Sequence, residues 1–470
     1  MELPKSFLES LSALLGEGAQ TVVGALDEEP VVSVRLNPFK TGAVLHEERV
    51  AWASEAYYLQ KRCNFTFDPL FHAGCYYVQE ASSMFLEQVI RQHVASPAVV
   101  LDLCAAPGGK STLLRSVLPE GSLLVCNEYI HSRAQVLSEN ITKWGHPGCV
   151  VTNNAPSDFA CLGGLFDVVV ADVPCSGEGM FRKDRASVAE WSESNVELCW
   201  QRARTIIDDC WPALKPGGLL VYSTCTYNLK EDEENIRYLR QKYGAEVLAL
   251  KMESDWNITG NLLPSAEERD AFPVYRFLPG RTRGEGFFLA VLRKPDDVEG
   301  AFARKEISPA GKKGKKTHPL PIPAVCKGWL TNPDSFCWNT DGNVVAAEPL
   351  LHADILSLLK ERLHVLQAGI SVAGMKGTDC VPMQSLANSI CLNASAFPRA
   401  EVSYQEVLAY LRRETIRLPE SAPRGYVVVT YRDVPLGFVK NVGNRANNLY
   451  VNEWRIRTTY LPTEEFTLLS

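Results

Sequence analysis

The chain has 470 residues, room for two to four domains at roughly 100–200 residues each and for a core that needs no disulfide staples. Hydrophobic residues at 46% and charged residues at 22% exclude a disordered chain, and a formal net charge of −7 gives no bulk pull toward phosphate or an anionic membrane, so any nucleic-acid site is a local patch. The fourteen cysteines lack the C-x-x-C spacing of a zinc site, no run reaches the ~20 apolar residues of a membrane span, and the first residues do not resemble a secretory signal; the expectation is a cytoplasmic, metal-free protein acting as a monomer.

In chain order, residues 1–96 hold helical and extended segments, including VRLN at Val34–Asn37 and FHAGCYYVQEASSM, and read as an N-terminal extension packed on the core. Residues 97–294 alternate apolar β-branched runs with amphipathic stretches, as in a parallel sheet covered on both faces. Strands are expected at Ala98–Leu103, Ser122–Asn127, Cys149–Asn153, Phe166–Asp172, Gly218–Thr224, Glu246–Leu250 and Gly286–Arg293. Helices are expected at Gly109–Val117, Ser132–Trp144, Val188–Leu214 and Lys230–Tyr243. The fold class is therefore α/β, a doubly wound Rossmann-like core. Residues 295–323, rich in Pro, Gly and Lys, form a linker, and residues 324–470 a mixed, β-rich C-terminal region without internal repeats.

The segment VVLDLCAAPGGKSTLL runs from a buried strand through Asp102, Cys104 and Gly108 into a helix, whose free N–H groups and small residues suit an anionic ligand. Glu128 ends the next strand 19 residues after Gly109, near the ~20-residue offset at which a carboxylate grips ribose hydroxyls. Asp172 closes the run FDVVVAD at the same sheet edge. A P-loop nucleotide hydrolase competes for GGKST, but its pattern needs glycine five residues before Gly109, where this chain has Cys104. A noncatalytic RNA-binding assembly factor is the other rival.

Two cysteines follow different strands in polar loops, Cys175 in V-P-C-S-G-E-G-M and Cys225 in T-C-T-Y-N-L-K-E-D-E-E-N, and both should converge on the edge that carries Gly108. A thiolate added at carbon 6 of cytosine makes carbon 5 nucleophilic enough to take a methyl group. Lys110, or the helix beginning near Lys230, would lower the thiol pKa. The segments DLCAAPGGKST, NEYIHSR, ADVPCSGEGMFRKD and YSTCTYNLKEDEENI, with VRLN and HAGCYYVQEASSM, resemble the ordered motifs of S-adenosylmethionine-dependent RNA 5-methylcytosine methyltransferases. The downstream GMKG and LGFVKNVGNRANNLYVNEWRIR are similar to the RsmF branch, which modifies small-subunit ribosomal RNA.

This resemblance implies that Cys225 is the nucleophile and that Cys175 assists release. It places S-adenosyl-L-methionine against Cys104, Ala105, Ala106, Pro107, Gly108, Gly109, Lys110, Glu128, Arg133 and Asp172. The family commonly has a further acid after the third strand; here the chain reads VTNNAPSD, and Asn154 stands in for it. Asp172 is expected to hydrogen-bond the cytosine amine and Lys110 to face the pyrimidine. RNA contacts are expected from Arg35, Arg182 and Lys183, with Arg185, Arg281, Arg283 and the tract Lys312–Lys316 as further candidates. The final ~100 residues, with Lys376, Lys440, Asn441, Arg445 and Asn447 in turns, resemble a PUA-like RNA-binding domain.

Overall fold

Helices α1 (Lys5–Leu15) and α2 (Gly18–Leu26) precede a three-stranded antiparallel sheet of β1 (Val32–Leu36), β2 (Ala56–Leu59) and β3 (Tyr76–Val78) in the computed structural model, which describes residues 2–264, 271–296, 321–458 and 460–469. The central sheet is built from β4 (Val99–Asp102), β5 (Leu123–Asn127), β6 (Cys149–Thr152), β7 (Phe166–Asp172), β8 (Leu214–Thr224), β9 (Glu246–Val247), β10 (Tyr275–Phe277) and β11 (Phe287–Arg293). Its helices are α3 (Gly109–Val117), α4 (His131–Trp144), α5 (Glu193–Cys210) and α6 (Glu233–Tyr243).

Strands β4 to β8 pair in parallel, and burial on both faces explains their continuous apolar runs. The two-residue alternation sends Val100, Val168, Val170 and Val221 to one face, against Leu113 and Leu114 of α3 and Leu137 of α4. It sends Leu101, Val169, Leu220 and Tyr222 to the other, against Ile207 of α5 and Ile236 of α6. Strand β4 lies between β5 and β7, so the strand order reverses there, and the loop after β4 opens at the crevice where such sheets bind ligands.

The strand expected at Glu246–Leu250 is confined to Glu246–Val247, and the one expected at Gly218–Thr224 starts four residues earlier, at Leu214. Two expected helices differ for local reasons. The single helix Val188–Leu214 is divided into Arg185–Glu190 and α5, because Ser192 turns extended and its Oγ accepts a hydrogen bond from the Asn195 N–H at 3.1 Å, starting a new helix. The helix expected from Lys230 begins at Glu233, since Asn228, Glu231 and Asp232 use their side chains in the loop before it.

The remainder is β12 (Phe336–Asp341), β13 (Val344–Pro349), helix α7 (Ala353–Arg362), β14 (Val365–Ala368), β15 (Ile370–Lys376), β16 (Asp379–Pro382), β17 (Arg399–Glu401), β18 (Gly425–Tyr431), β19 (Val434–Asn441) and β20 (Ala446–Asn448). Packing crosses both expected domain boundaries. Strand β14 pairs antiparallel with β6 and becomes the edge of the central sheet, while Leu356 and Leu359 of α7 join its core. Val34, Tyr57 and Tyr76 of the first sheet share a core with Val407, Tyr410, Tyr431 and Tyr450. The N-terminal sheet is therefore packed between the central sheet and the C-terminal region. No helix among the described residues is long and apolar enough to cross a membrane, and no cluster of His, Cys, Asp and Glu suited to a metal occurs among them.

Candidate active site

The glycine-rich loop is shaped by main-chain demands. Gly108 is left-handed at φ 116°, and a Cβ there would crowd Leu137, so the chain can turn into α3 only with glycine. Ala105 N–H donates to the Asn127 carbonyl at 2.8 Å, and Asn127 Nδ2 donates to the Leu103 carbonyl at 3.1 Å. Asn127, fully buried at the end of β5, also donates to Asn154 O and accepts from Asn154 N and Thr152 Oγ1. Glu128 accepts from the Ile130 N–H and pairs with Arg133 at 3.3 Å, while Arg133 also donates to Ala106 O at 2.9 Å. Glu128 and Arg133 thus meet beside Ala106. Asp102 is buried and accepts from Ser111 Oγ at 2.6 Å, leaving Oδ1 without a partner, and burial raises its carboxyl to about 7.

Asp172 closes β7 and Thr224 closes β8, its parallel neighbour. Lys110 Nζ donates to Asp172 Oδ2 at 2.8 Å, and Ser223 Oγ donates to Oδ1 at 2.7 Å. Burial opposes the Lys110 charge, but Asp172, Asp102 and Cys225 together outweigh it, and the ammonium is held above its ordinary pKa. Just beyond these strand ends, Cys175 Sγ and Cys225 Sγ stand 3.2 Å apart, both partly exposed. The hydrogen bond toward Cys225, then burial, pushes the Cys175 thiol well up; either sulfur can be the donor between them, and Cys175 Sγ also accepts from the Cys225 N–H at 3.4 Å.

Buried acids fix the two cysteine loops. Glu178 accepts from the Tyr227 N–H at 2.8 Å, Trp191 Nε1 at 3.0 Å and Asn228 Nδ2 at 3.1 Å, joining the two loops across the site. Glu231 accepts from the Ser176 N–H and hydroxyl and from Asn228, and burial lifts its carboxyl to about 7. Asp232 accepts from Thr224 and Thr226 on either side of Cys225 and pairs with Arg276, which also binds Glu233 and the Tyr227 carbonyl. Gly179 N–H donates to the Cys225 carbonyl at 2.7 Å, and a Cβ at Gly179 would lie 2.7 Å from that same oxygen. Sequence reasoning missed Asn127, Glu178, Glu231, Asp232, Ser223 and Arg276. The run Glu231–Glu234 was a usable signal, because four acids beside a strand end need buried donors or water.

Several expectations are corrected. Arg35 is 1% exposed, and its guanidinium donates to Gln79 Oε1, Thr112 Oγ1 and O, Gly109 O and Ser116, so it bolts the first sheet to α3 and reaches no phosphate. Arg182 is buried on Glu285, the Gly284 carbonyl and the Ala25 carbonyl, whereas the neighbouring Lys183 stays exposed. The Asn154 amide donates to and accepts from the main chain of His364, so it is oriented by the C-terminal region rather than standing free for an adenine ring. Lys230 pairs with Glu197, and the helix expected to begin there starts three residues later, at Glu233. Asn441 holds the Ala422 and Pro423 carbonyls, while Arg185, Arg281, Arg283, Lys376 and Arg445 are exposed. The tract Lys312–Lys316 lies outside the described residues.

The donor set fits S-adenosylmethionine: a glycine-rich turn, a carboxylate at Glu128 for hydroxyls, and the unpartnered buried Asp102 Oδ1, an acceptor that a polar ligand would satisfy. It does not fit a P-loop, since Ser111 and Lys110, which would serve magnesium and phosphate, are engaged by Asp102 and Asp172.

The family model for 16S rRNA methyltransferase RsmB/F matches residues 92–293, that for the N-terminal domain of 16S rRNA methyltransferase RsmF residues 3–81, and that for the methyltransferase RsmF PUA domain residues 397–456. The ribosomal RNA small subunit methyltransferase F of Citrobacter koseri is 32% identical over 392 residues, covering 81% of this chain and 78% of that protein. Its counterpart from Salmonella schwarzengrund is 33% identical over 397 residues with the same coverage, 81% and 78%. Among solved structures, a methyltransferase homolog protein from Pyrococcus horikoshii superposes with a TM-score of 0.53 at 25% identity, covering 62% of this chain and 95% of that one. NSun6 from Pyrococcus horikoshii with SFG, at TM-score 0.52 and 20% identity, covers 63% and 99% and shares the fold.

Proposed function

The chain belongs to the 16S rRNA methyltransferase RsmB/F family and is an S-adenosylmethionine-dependent rRNA methyltransferase; from that premise we propose that it methylates carbon 5 of a cytosine in small-subunit rRNA through a transient bond between the base and Cys225. The observation that carries this reading is the pair of sulfurs 3.2 Å apart at the ends of adjacent parallel strands, beside the Lys110–Asp172 pair. S-adenosylmethionine, bound along Cys104–Lys110 and Glu128, supplies an electrophilic methyl group.

Cys225 adds as a thiolate to carbon 6 of a cytosine turned out of its stack, and carbon 5 becomes nucleophilic. Asp172, held by Ser223 and Lys110, accepts from the exocyclic amine, and the Lys110 ammonium offsets negative charge beside the sulfur. After methyl transfer the carbon 5 proton leaves to a base, the bond from carbon 6 to sulfur breaks, and the electron pair returns to Cys225. Cys175 then stabilises the departing thiolate through its S–H. Exposed Lys183, Arg185, Arg281 and Arg283 supply phosphate contacts on the catalytic unit, and the PUA domain adds RNA surface.

The experiment is methyl transfer to transcribed small-subunit rRNA. Cys225→Ala should incorporate no methyl group, and Cys175→Ala should accumulate a retarded protein–RNA band on a denaturing gel. Methylation by Cys225→Ala at the wild-type rate would refute the nucleophile; absence of the retarded band would refute the release role.

A further inference from the structure

Asn154 occupies the position where the resemblance expects an acid, and its surroundings explain the exchange. Its Oδ1 accepts from the His364 N–H at 2.9 Å and its Nδ2 donates to the His364 carbonyl at 3.1 Å. A carboxylate could satisfy only the first of these and would set an anionic oxygen against the second. His364 directly precedes β14, the strand that the C-terminal region adds to the catalytic sheet. From Asn154 the hydrogen bonds continue inward. Its N–H donates to Asn127 Oδ1 at 3.0 Å, its carbonyl accepts from Asn127 Nδ2 at 3.0 Å, and the same Nδ2 holds the Leu103 carbonyl at 3.1 Å, one residue before the glycine-rich loop. The adjacent Asn153 N–H also donates to the His364 carbonyl at 3.0 Å, but its side chain turns the other way: its Nδ2 pins the Glu128 and Tyr129 carbonyls.

We propose that Asn154 is a positioning residue through which the C-terminal region sets the cofactor pocket, acting by way of Asn127 on the loop at Leu103–Cys104. The C-terminal region then contributes to cofactor affinity as well as to RNA binding, and by linkage bound cofactor tightens the seating of β14. The inference rests on the placement of S-adenosylmethionine at the glycine-rich loop and Glu128 proposed above.

The test uses the full chain and calorimetric titration with S-adenosylmethionine, together with separate KM values for cofactor and rRNA and a melting curve for each variant. Asn154→Ala and the isosteric Asn154→Asp should each weaken cofactor binding about tenfold, the order expected for one or two lost hydrogen bonds. The cofactor KM should rise while the rRNA KM stays put. Gln367→Ala is the control: Gln367 accepts from Ser138 and Thr142 of α4, so its loss loosens β14 without touching the path to Leu103, and cofactor affinity should remain within about twofold. Wild-type affinity in both Asn154 variants overturns the proposal, and so does an equal loss in Gln367→Ala, which would reduce the effect to strand docking. Glu128→Ala separates the two levels: unchanged cofactor affinity there overturns the placement of the cofactor itself, whereas a loss in Glu128→Ala with none at Asn154 overturns the relay alone.

Discussion

The loop carrying Cys225 is fixed by a fully buried cluster of ion pairs, whereas the loop carrying Gly108 is held through its main chain, by amides and by single guanidinium groups. Around Cys225 the anchors are Asp232, Glu233 and Arg276, all with fully buried side chains, together with Glu178 and Glu231. Around Gly108 they are the amides of Asn127, Asn140 and Asn154 and the guanidinium groups of Arg35 and Arg133, each reaching a carbonyl or amide of the chain. A nucleophile that forms and breaks a covalent bond returns to one position only if its loop is rigid, and desolvated ion pairs resist being opened because each opening strands a charge. The cofactor wall must admit and release a ligand at every turnover. Single hydrogen bonds to the main chain serve there, since breaking a neutral one costs about 1 kcal/mol net.

This contrast is breakable. The largest effect is expected at Arg276: Arg276→Met leaves Asp232 and Glu233 without their cation and should cost ~3–5 kcal/mol in urea unfolding, and a loss below ~1 kcal/mol would show that the charges are not structural. Arg35→Met should cost about 2–3 kcal/mol, because its charged hydrogen bonds to α3 are lost. The salt dependence of RNA binding should stay the same in that variant; a changed salt slope would restore Arg35 as a phosphate contact.

Asp102 sharpens the comparison through pH. Burial raises its carboxyl to about 7, above the ordinary carboxylate range, so the folded state favours the protonated form. That contribution is complete below about pH 4 and is lost as the pH rises through about 7. Asp102→Asn should therefore gain on the cofactor-free wild type by up to ~1.4 kcal/mol per pH unit across that window. A pH-independent difference would place the Asp102 charge elsewhere. The smallest effect belongs to Lys183→Ala, which should leave stability within ~0.5 kcal/mol and lower the salt slope of RNA binding by about one.

The parts of the site legible in the sequence were contiguous. Strand β7 ends at Asp172 as its apolar run says, α3 spans Gly109–Val117, and Gly108, Lys110, Glu128, Cys175 and Cys225 each sit beside a strand end that a local pattern marks. Partners distant in sequence left no such mark. Arg35 and Arg182 looked like phosphate ligands because a lone arginine does not reveal whether a carboxylate or carbonyl awaits it in the fold; Glu285 meets Arg182 from 103 positions away. Strand β14 is short and half-buried, and nothing in its four residues announces a place beside β6, more than 200 positions earlier, on the edge of the central sheet. The amide at Asn154 was visible as a departure from the resembling pattern, but its reason lies in the main chain of His364.

The most direct test of the covalent route is to trap the bond and locate it. Cys175→Ala incubated with small-subunit rRNA and S-adenosylmethionine, then digested with nuclease and protease, should yield a peptide containing Cys225 heavier by one methylated cytidine nucleotide. An adduct on any other residue, or full methylation with no adduct at Cys225 in either variant or wild type, would contradict the account.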